Sequence, residues 1–252
     1  MARVLTVTMN PAVDLSATVD HVAPEEKLRA REVRRDPGGG GVNVARVVHE
    51  LGGEATAFYL GGGLAGDLME ELLLEEGVAQ RRIGITGDTR HDLVFNDNGS
   101  ECQYRFVLPG PEVSEEECRS LLEALGGEEL DGAWVVASGS LPPGVDTAFY
   151  GRLASHCRAR GGRIIVDTSG DALAAAVKEG VSLIKPNLRE LGRLVGRELG
   201  DDADITGEAR GLVERGRVEA VLVSLGAGGA VLVGEGVEAQ IRAPTVPVRS
   251  KV

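Results

Sequence analysis

Short runs of β-branched and aliphatic residues alternate along this chain with stretches that repeat apolar side chains at helical spacing. That alternation limits the possible folds more than any other feature. It predicts strands at 4–8, 55–60, 133–137, 163–167, 182–184, 220–224 and 230–233. Between them it predicts helices at 42–51, 64–76, 147–160, 171–179, 187–195 and 208–215. A strand reached through a single helix pairs parallel with its predecessor, through a right-handed crossover. The order therefore predicts an α/β fold with a mostly parallel sheet covered by helices on both faces. The final two strands are too close for a crossover and are expected to form a hairpin. Two stretches, 15–36 and 91–107, break the rhythm with short runs of alternating polarity. In the second, Asn96-Asp97-Asn98-Gly99 supplies hairpin chemistry. Four such strands would make a small β-flap inserted into one α/β domain spanning residues 1–252.

Charge narrows the partners. The chain carries 39 acidic and 27 basic side chains, a net charge of -12, with a pI near 4.9. Nucleic acid and anionic membrane surfaces need a positive field, so neither is an expected partner. No window approaches the ~18 uninterrupted apolar residues of a membrane span, and the first residues, MARVLTVTMNPAVDL, lack the pattern of a secretory leader. Three widely spaced cysteines, Cys102, Cys118 and Cys157, form no CxxC pair. A disulfide scaffold or zinc site is not expected, and a reducing cytoplasm is.

Glycine is in excess, with 36 among 252 residues, and much of it gathers in clusters. In Pro37-Gly38-Gly39-Gly40-Gly41-Val42-Asn43 four glycines lead into a helix. Their N–H groups and the helix start could face an anion or a polar ligand, with Asn43 offering its amide to a hydroxyl; a flexible loop is the plainer reading. Gly61-Gly62-Gly63-Leu64-Ala65-Gly66 fits G-x-G-x-x-G. Gln80, Arg81 and Arg82 stand where a ribose-binding acid belongs, however, so a tight strand-to-helix turn is preferred over a dinucleotide site. In Lys185-Pro186-Asn187-Leu188-Arg189-Glu190, Asn187 and Glu190 share a helix face. They could hold Mg²⁺ through its waters, or simply cap the helix. Val223–Ala230, VSLGAGGA, is either a tight hairpin or a bulk-free cradle for a base or phosphate, and Ser138-Gly139-Ser140-Leu141-Pro142-Pro143-Gly144 is a loop at a strand's C-terminal end. Lys27, Arg29, Arg90 and Arg105 stand in or beside the flap runs, where arginine forks suit phosphate.

Taken together and in order, PGGGGVNVAR, SGSLPPGV, VDTSG, KPNLREL and VSLGAGGA resemble the PfkB (ribokinase-like) sugar kinases, over the whole of residues 1–252. The resemblance implies a ribokinase-like three-layer fold with a β-sheet lid. Lys27-Leu28-Arg29, the run Gly38–Gly41 and Gln103–Val107 make it most similar to the branch that phosphorylates fructose 6-phosphate with MgATP. Branches acting on fructose 1-phosphate or tagatose 6-phosphate usually carry lysine where Gly40 stands. By the same resemblance Asp14, Gly39, Gly40 and Asn43 would bind sugar hydroxyls, and Lys27, Arg29, Arg90 and Ser140 the sugar's phosphate. Lys185, Asn187, Ser224, Gly226, Gly229, Ser250 and Val252 would receive ATP, and Asn187 with Glu190 would organise Mg²⁺. The lid would pair with that of a second subunit in a homodimer. The family's catalytic Asp belongs to a GAGD motif, which is absent from the 252 residues and is expected beyond Val252. A chain without it would bind sugar phosphate or nucleotide without transferring phosphate.

Overall fold

The computed structural model describes residues 3–200 and 202–244. Ser250 and Val252, expected at the nucleotide, lie outside the described residues. The backbone gathers into two compact units, residues 1–146 with 159–162 and residues 147–158 with 163–252.

The first unit contains β1 (Val4–Thr8), β2 (Ala12–Val19), β3 (Arg31–Gly38), α1 (Gly40–Glu50), β4 (Ala55–Gly61) and α2 (Gly63–Glu75). These are followed by β5 (Ala79–Gly84), β6 (Arg90–Asp97), β7 (Cys102–Val107), α3 (Glu115–Gly126) and β8 (Trp134–Ser138). Strands β8-β1-β4-β5 lie side by side, all parallel. Helix α1 packs on β1, β4 and β8, and α3 on β4 and β5. Small side chains on α1 and β4 (Ala45, Ala55, Ala57) let Tyr59, Met69 and Leu73 fill the core between helix and sheet. The four flap strands form their own sheet, ordered β3-β2-β6-β7. In it β2 pairs antiparallel with β3 and parallel with β6, so Asp14 lies opposite both Asp36 and Asp92.

The second unit contains α4 (Phe149–Arg158), β9 (Arg163–Asp167), α5 (Gly170–Glu179), β10 (Val181–Ile184) and α6 (Leu188–Val195). It continues with α7 (Asp202–Glu214), β11 (Val218–Ser224), β12 (Ala230–Gly234) and β13 (Val237–Ile241). β9, β10 and β11 are parallel, and the expected hairpin β11–β12 continues antiparallel into β13. Thus the fold is mixed α/β with mostly parallel pairing.

Three elements go beyond the sequence expectations: β5, α3 and β13. In β5 only Ile83 is buried, and Arg82 spends its charge on Asp67 and Glu70 of α2. β13 is an edge strand with a largely exposed pattern. α3 opens with three glutamates that hide its apolar face. Its capping box is nevertheless complete: Ser114 Oγ accepts from the Glu117 N–H at 3.3 Å, and Glu117 accepts from the Ser114 N–H at 2.7 Å. α7 also begins earlier than the expected residue 208, where Arg197 pairs with Asp204 at 3.1 Å and Glu208 at 2.9 Å.

Candidate functional site

In the first unit, the glycine run is a packed joint. A Cβ on Gly40 would stand 2.2 Å from Ser138 Oγ and 2.8 Å from the Ser138 carbonyl carbon. One on Gly41 would stand 2.6 Å from Thr8 Oγ1. Gly39 has φ +113, a conformation closed to side chains. The start of α1 is thereby pressed onto the C-terminal ends of β1 and β8. The Val42 N–H donates to Thr8 Oγ1 at 2.9 Å, and no side chain caps the helix at Gly39. The first turn therefore keeps main-chain donors for a ligand.

Asp14 lies over Gly38, whose missing Cβ would fall 2.5 Å from both carboxyl oxygens. Burial, followed by the neighbouring Asp92 carboxylate, pushes the Asp14 carboxyl up to about 6, with Arg90 opposing. Arg90 begins β6, and its side chain is only 10% exposed. It donates to Asp92, to the Leu108 carbonyl at 3.3 Å and to the Asn10 carbonyl at 3.4 Å. Its Nε is buried without a hydrogen-bond partner. The Asn10 amide donates to Ser140 Oγ at 3.1 Å. Asn43, exposed on the first turn of α1, accepts from Arg46 at 3.4 Å. Arg46 also holds the Pro37 carbonyl at 3.1 Å and forks onto Glu76. The structure thus links Asp14, Arg90 and Ser140 through Asp92 and Asn10. It leaves Lys27 and Arg29 exposed, with no ion pair among the described residues.

Asn10, Asp92 and Arg46 are absent from the sequence-based site. Asn10 carried a usable signal, a polar residue just past the C-terminal end of a parallel strand. Asp92 shows itself only through strand pairing.

The second unit builds differently. Lys185 follows β10 and lies 3.1 Å from Asp167 Oδ1, with its side chain 40% exposed. The Ser224 N–H donates to the Pro186 carbonyl at 3.0 Å, and Asn187 pairs as an isolated bridge with Ser224. Asn187 caps α6: its Oδ1 accepts from the Glu190 N–H and Glu190 Oε2 accepts from the Asn187 N–H, both at 2.9 Å. The capping reading of this pair is realised, and Glu190 Oε1 remains uncommitted. Past β11, Gly226–Gly228 form one tight 3₁₀ turn. It closes onto Gly229, at φ +96, where a Cβ would meet the Ile241 carbonyl at 1.9 Å. An open cleft of about 1140 Å³ is lined by Asn187, Leu188, Leu199, Ser224, Leu225 and Gly226 among others. Leu188, Leu199 and Leu225 give it an apolar wall, and Arg189, Arg193 and Arg197 line it with positive charge, a combination that suits a nucleotide. Among the described residues no group of three or more His, Cys, Asp or Glu side chains converges on a metal position. The donor set offered, one carboxylate oxygen and an amide, suits a cation that keeps its waters, as Mg²⁺ does.

The G-x-G-x-x-G segment is the tight turn expected of it. Cβ atoms on Gly62 and Gly63 would strike the Gly87 carbonyl at 2.1 Å and Asp88 Oδ1 at 1.7 Å. Nothing is left open there for a pyrophosphate.

Both sets of residues lie in a mixed α/β fold, and similar proteins share it. The family model of "pfkB family carbohydrate kinase" matches residues 7–252, and the chain belongs to that family. It is 47% identical over 230 residues to "ATP-dependent 6-phosphofructokinase isozyme 2" of Mycobacterium tuberculosis, covering 91% of this chain and 68% of the relative. It is 41% identical over 253 residues to the protein of that name from Escherichia coli, covering 100% and 82%. The crystal structure of phosphofructokinase-2 from Escherichia coli in complex with fructose-6-phosphate superposes with a TM-score of 0.95 at 40% identity, over 99% of this chain and 82% of that one. The fold is therefore the ribokinase-like one that the motifs implied.

Proposed function

We propose that the protein is an ATP-dependent 6-phosphofructokinase. It transfers the γ-phosphoryl group of ATP to the C1 hydroxyl of fructose 6-phosphate, giving fructose 1,6-bisphosphate and ADP, in the glycolysis of the cytoplasm. The observation that carries this reading is Arg90, an arginine only 10% exposed and joined through Asn10 to Ser140. A buried guanidinium with an unpaired Nε suits a phosphate dianion better than a neutral sugar. Relatives 47% and 41% identical bear the name of this activity.

In this reading Arg90, Ser140, Lys27 and Arg29 hold the 6-phosphate. Asp14, Asn43 and the main chain at Gly39 and Gly40 take the sugar hydroxyls. Lys185, Asn187, Ser224, Gly226 and Gly229 hold the nucleotide, with Ser250 and Val252 assigned by resemblance. Asn187 and the free Glu190 oxygen would hold Mg²⁺ through its waters. When bound, the metal neutralises developing phosphate charge. The protein's own contribution is positioning and charge complementarity, which supply most of the catalysis in phosphoryl transfer.

We assign the four-stranded sheet as a lid within a single kinase domain, with insertions at about 15–36 and 91–107. The lid strands and the segments beside them leave Leu28, Val33, Tyr104, Phe106 and Val107 exposed. Exposed apolar side chains on both edge strands of this sheet favour a homodimer formed lid to lid.

The test is ADP release with fructose 6-phosphate, fructose 1-phosphate and tagatose 6-phosphate. The expected result is the highest kcat/KM with fructose 6-phosphate. Arg90→Ala should raise its KM roughly 10–100-fold, matching a charge-assisted contact of about 1.5–3 kcal/mol. A higher kcat/KM for another sugar, or an unchanged KM in the variant, overturns the assignment. Thermal stabilisation by the sugar phosphate without ADP release would identify a non-catalytic binder.

A further inference from the structure

Asn10 lies in the segment between β1 and β2, where it touches two residues of the proposed phosphate site that are far apart in sequence. Its Nδ2 donates to Ser140 Oγ at 3.1 Å, and its main-chain carbonyl accepts from Arg90 Nη2 at 3.4 Å. The remaining amide oxygen, Oδ1, is buried and has no hydrogen-bond partner. Gly110 closes over it, since a Cβ there would lie 2.2 Å from that oxygen. A buried acceptor left unpaired is a standing cost that an apolar residue of the same size would avoid. That cost calls for a contribution elsewhere, and among the described residues the one side chain the amide bonds is Ser140. Ser140 is exposed on its loop, and among the described residues its hydroxyl has no other hydrogen bond.

We propose that Asn10 is a positioning residue for the sugar phosphate: its amide locks the Ser140 hydroxyl, and its carbonyl sets the Arg90 guanidinium, in one phosphate-accepting arrangement. The inference rests on the reading of Arg90 and Ser140 as phosphate ligands. It adds that their geometry is imposed from a third strand end, by the residue that bonds to both. Preorganisation of this kind lowers the ordering cost of binding and is felt mainly in affinity.

The test uses three variants of the whole protein, Asn10→Ala, Ser140→Ala and the double variant, read by steady-state kinetics and by calorimetric titration with fructose 6-phosphate. Asn10→Ala removes an unpaired acceptor along with the donor, so its melting temperature should change little. Its KM and Kd for fructose 6-phosphate should rise about 3–10-fold, the scale of one neutral hydrogen bond, with kcat and the KM for ATP unchanged. The double variant should be no worse than Ser140→Ala, because Asn10 acts through that hydroxyl. Asn10→Asp, which keeps the shape and replaces the amide by a carboxylate, should weaken sugar-phosphate affinity more than Asn10→Ala does. Unchanged sugar affinity in Asn10→Ala, or losses that add in the double variant, overturn the proposal. Wild-type protein that neither binds nor phosphorylates fructose 6-phosphate overturns the functional reading itself, and this inference with it.

Discussion

Arg90 and Lys185 are both basic residues assigned to phosphate, yet their surroundings have little in common. Arg90 is 10% exposed and surrounded by side chains whose positions depend on one another: Asp92, Asn10 and, through these, Asp14 and Ser140. Lys185 is 40% exposed with a single carboxylate partner among the described residues, beside a cleft lined by a helix cap, the start of a 3₁₀ turn and the residues Arg189, Arg193 and Arg197. The sugar side thus centres on one nearly buried arginine held by interdependent polar groups, and the nucleotide side is more open. Buried polar groups discriminate sharply because any misfit leaves one of them unpaired. A more open surface leaves its polar groups solvated when a ligand misfits, so it discriminates less. In the proposed reading, this contrast puts the sugar specificity in the first unit.

The largest expected effect tests whether the sugar side is as rigid as its packing implies. Gly40→Ala would place Cβ against Ser138 Oγ, the Ser138 carbonyl carbon and, at 3.0 Å, the Gly139 nitrogen. Two of these are main-chain atoms that cannot move aside, so a loss of about 3 kcal/mol is expected, the upper range of overpacking. At this chain length that corresponds to a melting-temperature drop of about 10 °C. Gly226 is the matched control on the nucleotide side, with φ +58 and open space where its Cβ would go. Gly226→Ala should cost only the left-handed backbone penalty, about 1–2 kcal/mol. Equal losses in the two variants would remove the distinction.

Asp14 gives the next effect, and its sign is unusual. Its carboxyl is raised from 3.8 to about 6 by burial and by Asp92. Between those values the folded protein keeps a proton that the unfolded chain has released, so stability falls as pH rises through that window. Asp14→Asn cannot ionise and should be the more stable protein at pH 8. The gain should be on the order of 1 kcal/mol once solvent screening of a half-buried group is allowed for. At pH 4 the two proteins should melt alike. Fructose 6-phosphate affinity should move the other way, weaker in the variant and, in the wild type, improving from pH 5 to 7 as the carboxylate forms. Thermal melts at pH 4 and 8 with sugar titrations decide it. A variant no more stable at pH 8 would mean Asp14 is not held in a costly position.

How much of this was legible in the sequence follows the same division. β1 and β9 fall where their β-branched and aliphatic runs predict, because parallel strands covered on both faces read as near-continuous runs of such residues. The nucleotide-side residues could be read as local motifs, since a cap and a glycine turn are short-range chemistry. The edge strands β5 and β13 could not, as exposed strands carry no clear alternation. α3 could have been found from Ser114 and Glu117 at capping-box spacing, with Cys118, Leu121 and Leu125 behind them. On the sugar side the individual letters were visible, but their coupling was not. Asp14 meets Asp92 and Asp36 only through strand register, and Asn10 meets Ser140 only through the fold.

The smallest effect separates two roles that coincide at Asn187, the N-cap of α6 and a proposed nucleotide and Mg²⁺ ligand. Its side chain accepts from the Glu190 N–H while Glu190 returns a bond to its own N–H. Asn187→Ala should lose the cap, about 1 kcal/mol of stability, and the ligand contact together. Asn187→Ser keeps a side-chain oxygen able to cap and should melt within ~0.5 kcal/mol of wild type. Its shorter side chain withdraws from the cleft, so the KM for ATP should rise in both variants to a similar extent. Sugar affinity should not move in either. If Asn187→Ser restores ATP affinity along with stability, the residue acts only as a cap, and the nucleotide site depends on helix position rather than on this amide.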